Sequence, residues 1–517
     1  MAKHYIFAKV RPGRLLRYSF VIGLASLLWL ILRTGTKPTR AGYPCQRMAA
    51  ANASAWLGAA AVPALLRWTG RLRQRIGSGS RLSAAIIIIF AAALFTMLFG
   101  WPSLGLFSDA AVGISTLVSP GTGNVVSPEG PIDLKLEQHL AGPPTRSDIF
   151  VVEGTTGADN GFDRLISLLE EHGDGFYKTS AESKTGSLDG GSGVIGSDDV
   201  VIIKVNSQWN QRGGTNTDLT ASIIRAVIDH PNGFSGEVII ADNGQAQYGS
   251  AGRGGSLDWG RNNSIDYGRS MQDVANEFAA EYRVSTYLWD AITRNKVAEF
   301  SEGDIEDGYI VAGKSTGPTG IIVSYPKFTT RYGTHISFKR GVWDPASRTY
   351  DTDRLTVINV PVLKSHAIYG VTGAVKHYMG VVSDKLTSHN AHRSVGDGGM
   401  GTQMVQTRVP ALNIIDAIWI NARPGRGPST SFAAADEVNV IAASLDPVAL
   451  DTWGSINLLI AAAEQRGYGR TQLMSPLAPS GSGFSKWLSL SANELRGAGY
   501  PATTDLSGVN VRVEKMR

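Results

Sequence analysis

The chain has 517 residues, 43% hydrophobic and 18% charged, enough for one large domain or two ordinary ones with further segments attached. Residues 1–101 hold 14 of the 49 Lys and Arg and no Asp or Glu; the 35 left over face all 44 acidic residues, so the remainder carries about −9. The basic excess therefore belongs to the first hundred residues, which argues against nucleic acid as a partner. The single cysteine, Cys45, excludes an intramolecular disulfide and any cluster or zinc site built on several thiolates of one chain.

Three apolar runs, Tyr18–Leu32, Met48–Leu66 and Leu82–Trp101, predict a three-helix transmembrane anchor over residues 1–101. Arg33, Lys37 and Arg40 follow the first run in place of a small-residue cleavage site, which argues against a removed signal peptide. Five basic residues precede the first run, four separate the first from the second, and five separate the second from the third. That bias favours an inside N-terminus and places everything after Trp101 outside the cytoplasm. If the second run only lies on the membrane, the large domain is cytoplasmic instead. Cys45, in the loop after the first run, reads either as a lipidation or redox handle or as a small residue packed beside the helices.

Pro102–Arg146 is rich in Gly, Ser and Pro and reads as a linker. Strand-like runs then alternate with amphipathic stretches: strand Asp148–Val152, helix Phe162–Glu171, strand Val200–Val205, helix Asp218–Ile228 capped by Asp218, strand Glu237–Ala241, helix Ser270–Tyr282 and strand Arg283–Tyr287. This alternation predicts an α/β fold with a mostly parallel sheet covered by helices. Gly308–Asp353 changes to hairpin character, with strands at Ile321–Ser324 and Arg331–Lys339, and reads as an inserted β subdomain. Strands Leu355–Val360, Ala411–Ile420 and Val438–Ala443 and a helix Trp487–Arg496 follow, and the last twenty residues read as polar and irregular. The expected organisation is an anchor at 1–101, a linker at 102–146, the α/β domain at 147–460 and a C-terminal extension at 461–517.

In open sheets of this kind ligands sit at the carboxyl ends of strands. Val200–Ile203 finishes in Lys204-Val-Asn206, and Glu237–Ala241 in Asp242-Asn243-Gly244. Leu355–Val360 leads into Pro361-Val-Leu-Lys364-Ser-His366, Ala411–Ile415 into Asp416, and Val438–Ala443 into Leu445-Asp446-Pro447. For any one of these, a solvated strand end or helix cap is as ready a reading as a ligand contact. Residues 361–401 are the richest stretch, with four of the nine histidines inside 27 residues. Lys364 and Lys376 are compact positive charges suited to a phosphate or carboxylate. His389 and His392, three apart, would share a helical face and bind a divalent metal, against the alternative of hydrogen-bonded loop histidines. No Gly-x-Ser-x-Gly elbow, Walker loop or zincin helix is present, and the Gly154, Gly157, Gly161 spacing matches a nucleotide-binding turn only loosely.

Taken in order, Val201-Ile-Ile-Lys204-Val-Asn206, Val238-Ile-Ile-Ala-Asp242-Asn243-Gly244, Asn359-Val-Pro-Val-Leu-Lys364-Ser-His366 and Gly370-Val-Thr372-Gly-Ala-Val-Lys376-His377-Tyr-Met-Gly380 resemble the domain of unknown function 362 family. Asn413-Ile-Ile-Asp416, Gly427-Pro428 and Ser444-Leu-Asp446-Pro447-Val-Ala-Leu-Asp451 resemble its closing motifs, so the likeness spans residues 148–455. It carries over Lys204, Asn206, Asp242, Lys364, His366, Lys376, Asp416, Asp446 and Asp451 as motif residues, without roles. Many relatives have a ferredoxin-type iron–sulfur module, which implies redox work. One cysteine cannot supply such a cluster, so none is expected from this chain. His377 stands where relatives often have Asn.

These features predict a membrane-anchored, extracytoplasmic domain that binds an anionic or metal-chelated small molecule, with its transformation there left open. His366, Lys364 and Asp242 are the catalytic candidates, with His366 as general acid/base because its ordinary pKa lies nearest neutrality. Lys204 and Lys376 would help hold the anion, with Asn206, Asp416, Asp446 and Asp451 as further ligand contacts and a divalent metal at His389 and His392. The competing expectation is a non-catalytic scaffold or accessory subunit of a membrane, envelope or redox complex. Trp209, Trp419 and Trp453 would then share one open face.

Overall fold

Val200–Lys204 (VVIIK) and Glu237–Asp242 (EVIIAD) are buried along their whole length, as strands covered by helices on both faces must be. The computed structural model describes residues 130–173, 175–178, 193–245, 254–313, 317–478 and 483–516, all within one compact unit, Gly123–Arg517. The three apolar runs of residues 1–101 and Cys45 lie outside the described residues. Among the described residues no helix is long and apolar enough to cross a membrane.

The strands are β1 Ile149–Glu153, β2 Val200–Lys204, β3 Glu237–Asp242, β4 Val284–Leu288, β5 Gly308–Val311, β6 Ser324–Thr329, β7 His335–Ser337, β8 Gly341–Asp344, β9 Thr349–Asp351, β10 Leu355–Asn359, β11 Val362–His366, β12 Gly370–Thr372, β13 Leu412–Asn421, β14 Asp436–Ser444 and β15 Val511–Lys515. Four helices pack on or cross the large sheet near its centre: α1 Gly161–Glu170, α2 Thr217–Ile228, α3 Met271–Phe278 and α4 Ala374–His377.

The large sheet runs β15-β1-β14-β13-β10-β2-β3-β4, with β11 beside β13 and β12 folded back on β11. Along that path every pair is parallel except those made by β14, which runs against both β1 and β13. Side chains alternate between two cores. Val201, Ile203, Val238 and Ile240 pack on Phe162, Leu165, Leu219 and Val274 of α1, α2 and α3. Val200, Ile202, Ile239 and Val357 face Val375, Tyr378 and Trp487 on the other side. The inserted segment forms its own antiparallel sheet, β5-β6-β7-β8-β9. Its strands fall later than expected, at Ser324–Thr329 and His335–Ser337, because the chain turns between Thr330 and Thr334 with Gly333 at φ +82°.

The winding reverses at β2. From there the chain moves one way, through α2 and α3, to β3 and β4; after the inserted sheet it returns on the other side of β2 as β10. Loops leaving the carboxyl ends of β2 and β10 thus part in opposite directions at a reversal point, the place where open sheets of this kind form a ligand crevice.

Three local expectations are corrected. Asn216, not Asp218, caps α2: its side chain accepts from Leu219 N at 2.9 Å, while Asp218 takes Ile265 N and the Arg269 guanidinium. The last twenty residues are not irregular, since Val511–Lys515 pairs in parallel with β1. Within the stretch read as linker, Ile132, Leu134 and Leu136 are buried in the core, their alternation with Asp133 and Lys135 turning one edge inward.

Candidate functional site

β2 closes on Lys204, level with Asn359 on β10, which is level with Asn413 on β13 and then Ser444 on β14. Alternation puts this polar row on the face away from α1, α2 and α3, where α4 crosses it. The amide of Asn359 donates to Asn413 Oδ1 (2.9 Å) and to the Ala374 carbonyl (3.0 Å), and its Oδ1 meets His377 Nδ1 at 2.7 Å. Lys204 Nζ lies 2.7 Å from Asp242 Oδ1, both side chains buried, and Asp242 Oδ2 accepts from the Ser207 amide (2.7 Å) and hydroxyl (2.9 Å). Only a glycine fits above this ion pair: a Cβ on Gly380 would stand 2.0 Å from Asp242 Oδ1 and 2.3 Å from Lys204 Nζ.

Two more lysines reach the same place. Lys364, on β11, is buried and donates to the Gly213 carbonyl. Lys376, on α4, is also buried; among the described residues its ammonium has no hydrogen-bond acceptor, and it lies 5.2 Å from the centre of the Tyr369 ring. Burial pulls all three ammonium groups down, Lys204 to about 8 against the pull of Asp242, Lys364 to about 7 with help from Lys376, and Lys376 to about 8 with help from Lys204. Three lysines thus share one directly paired carboxylate. The arrangement suits an anion small enough to contact several ammonium groups at once.

His366 sits beside them, but in a form unlike the one expected. Its Nδ1 accepts from the amides of Ile368 (3.1 Å) and Tyr369 (3.2 Å), so the ring proton is on Nε2. Burial, then Lys376, His392 and Lys364, hold its pKa well below the usual histidine range. The ring is a neutral donor at physiological pH, and the ground for expecting a general acid/base there, an ordinary pKa near neutrality, does not apply to it.

The remaining candidates hold the scaffold. Asn206 Oδ1 accepts from Val362 N at 2.8 Å and ties the loop after β2 to the start of β11. Asp416, pushed up to about 6 by burial, accepts from the amides of Asn216 (2.8 Å) and Ile418 (3.2 Å), with Lys364 in electrostatic reach. Asp446 stands apart from the lysines, capping the helix Pro447–Gly454 through Val448 N and Ala449 N and also accepting from Ser147 Oγ and Thr503 N. Asp451, raised to about 7 by burial, accepts from Ala374 N and Val375 N and so fixes the start of α4.

His389 and His392 are brought together, but by a carboxylate: both Nδ1 atoms lie on Asp384 Oδ2, at 2.8 and 2.7 Å. His389 precedes the short helix Asn390–Ser394 at φ +60°, so the pair is not two rungs of one helix. Among the described residues no group of three or more His, Cys, Asp or Glu side chains has the spacing of a metal site. Trp453 is buried and Trp209 and Trp419 are half-buried, the last under the Arg212 guanidinium at 4.1 Å, so these tryptophans form no open face. The loop after β2 also lines a shallow cleft bounded by Asn206, Trp209, Gly214 and Trp259.

Sequence reasoning missed Asn359, Asn413 and His377. The available signal was the polar residue that closes or opens an otherwise apolar strand, Leu-Thr-Val-Ile-Asn359 and Leu412-Asn413-Ile-Ile. The family model described as Domain of unknown function (DUF362) matches residues 343–455, a span that holds Asn359, Lys364, His366, Lys376 and His377 and excludes Lys204 and Asp242. No curated protein and no solved structure matches the chain.

Proposed function

We propose, for a chain whose residues 343–455 are a DUF362 domain, that the crevice between β2 and β10 binds a small anionic molecule. The observation carrying this reading is Lys376, a buried residue whose ammonium has no acceptor among the described residues, beside Lys364, whose ammonium is hydrogen-bonded only to a neutral carbonyl. A buried, unpaired cation is expensive, and an anion is the partner that removes the expense. The place supports it too, since open parallel sheets take ligands where strand order reverses.

Membrane anchorage by Tyr18–Leu32, Met48–Leu66 and Leu82–Trp101, with the binding domain outside the cytoplasm, belongs to the same proposal and rests on the apolar runs and their basic flanks. Protease protection of intact cells tests it: cleavage after Trp101 from outside supports that orientation, and protection opposes it.

The binding reading is tested by thermal unfolding of the full-length protein with inorganic phosphate, sulfate and citrate, against chloride at equal ionic strength. At least one of the three should raise the midpoint in the unaltered protein and lose most of that effect in Lys376→Met and Lys364→Met. No effect from any of them, or equal effects in the variants, refutes it.

A further inference from the structure

His377 puts an acceptor into a site otherwise made of donors. Asn359 spends its amide on Ala374 and Asn413, so the atom it offers His377 is the carbonyl oxygen, and the ring proton must sit on Nδ1. Nε2 is left as a bare lone pair. It is buried, and among the described residues it has no hydrogen-bond partner. Lys204, whose ammonium reaches Asp242 Oδ1 (2.7 Å) and the Val205 carbonyl (3.3 Å), makes no hydrogen bond to it. Protonation does not resolve the matter either. Lys204 on β2, Lys364 on β11 and Lys376 on the same helix all face the ring with positive charge, and Asp242 on β3 is engaged with Lys204; against them the Val205 carbonyl, beside the ring but outside hydrogen-bonding geometry with Nε2, favours a proton there. Burial and the three lysines prevail, so the ring is neutral and Nε2 an acceptor. Orphaned buried acceptors are rare and call for an occupant.

We propose that Nε2 of His377 accepts a hydrogen bond from the ligand of the lysine site, which makes that ligand an anion carrying its own hydroxyl, such as a hydrogenphosphate or a hydroxycarboxylate. This rests on the crevice being an anion site. Lysines read charge and hold sulfate and hydrogenphosphate alike, since an ammonium is a point donor with no fixed geometry. Nε2 reads something else. Hydrogenphosphate turns its P–O–H toward it, whereas sulfate at neutral pH presents only lone pairs to a lone pair. Glycolate and acetate differ in the same way. A site built around a buried polar partner rejects the analogue that lacks it, because that partner is then left unpaired. No bond is made or broken; this is discrimination by one hydrogen bond.

Titration calorimetry on the full-length protein at pH 7, with the pairs phosphate and sulfate, and glycolate and acetate, tests the inference. In at least one pair the hydroxyl-bearing member should bind about tenfold tighter, the size of one well-made hydrogen bond. His377→Asn keeps a donor to Asn359 and deletes Nε2, so it should bring that pair to equal affinity; His377→Gln, which places a carbonyl near Nε2, should restore part of the preference. Nitrogen NMR of the histidine-labelled protein supplies a readout independent of the variants. The His377 Nε2 should show an unprotonated nitrogen in the free protein and shift when the preferred anion is added. Equal affinities within both pairs, or a protonated Nε2 in the free protein, overturn the inference while leaving the anion site standing. If none of the four probes binds, the anion site itself fails and takes this inference with it.

Discussion

Lys376→Met removes the ammonium and keeps the length of the side chain, so it isolates what the buried charge costs. Burial and the nearby Lys204 bring Lys376 from 10.5 to about 8. At about 1.4 kcal/mol per unit, that fall corresponds to roughly 3 kcal/mol of destabilisation of the folded state while the group is charged. The unfolded lysine keeps its proton up to about pH 10.5, and the folded one releases it near pH 8. Between those values the unfolded state holds more protons, so this residue makes stability rise with pH across the window, and its penalty is present in full below it. Methionine also forfeits the contact with the Tyr369 ring, worth about 0.5–2 kcal/mol. The net expectation is a gain of about 1–3 kcal/mol for the variant at pH 7 without a bound anion. Guanidinium unfolding of variant and unaltered protein at pH 7 and at pH 10 measures it, with midpoints compared only if the slopes agree. The gain should be clear at pH 7 and mostly gone at pH 10. A variant no more stable at pH 7, or a gain that does not shrink with pH, refutes the reasoning.

Asp242→Asn leaves Lys204 without its counter-charge in the same buried place, and about 3–5 kcal/mol of stability should go, as measured by unfolding at pH 7, with less lost above about pH 8 as Lys204 sheds its proton. Gly380→Ala drives a methyl group into that ion pair; about 1–3 kcal/mol of destabilisation by unfolding, with loss of any phosphate-dependent rise in the midpoint, is the expected result. Asp446→Ala deletes an acceptor used by Val448 N, Ala449 N, Ser147 and Thr503, and should lower stability by about 2 kcal/mol in the same measurement.

The central strands were legible because strands buried on both faces must be continuous β-branched runs, and Val200–Lys204, Glu237–Asp242 and Leu355–Asn359 are written that way. The outermost strand was not. Val511-Arg-Val-Glu-Lys515 alternates apolar with charged residues, as a half-covered edge should, and its charges read as irregular chain. Ile132-Asp-Leu-Lys-Leu136 hid its burial behind the same alternation. In the site, Lys204, Asp242 and Lys364 could be named because each stands at or just beyond a strand end. Asp446-Pro447 was open to two readings, and the helix-start reading prevails because Asp before Pro opens a helix as naturally as it contacts a ligand. The contact of His377 with Asn359 was beyond reach. It depends on α4 crossing over β10, and nothing local to either residue encodes that crossing.

The position of β1 bears on how the molecule is made. Its neighbours in the sheet are β14 and β15, which begin 287 and 362 residues after it, whereas β2, β3 and β4 find one another within about ninety residues. During synthesis the β2–β4 layer can therefore assemble long before the first strand has anywhere to go. β1 must wait, with its row of amides unfilled, until Val511–Lys515 has left the ribosome. Long-range pairing of that kind is slow and exposed to misassociation. A chain cut just before Val511 would bare β1 as an open sheet edge, and among the described strands the demand for chaperones should fall on β1 rather than on β2–β4.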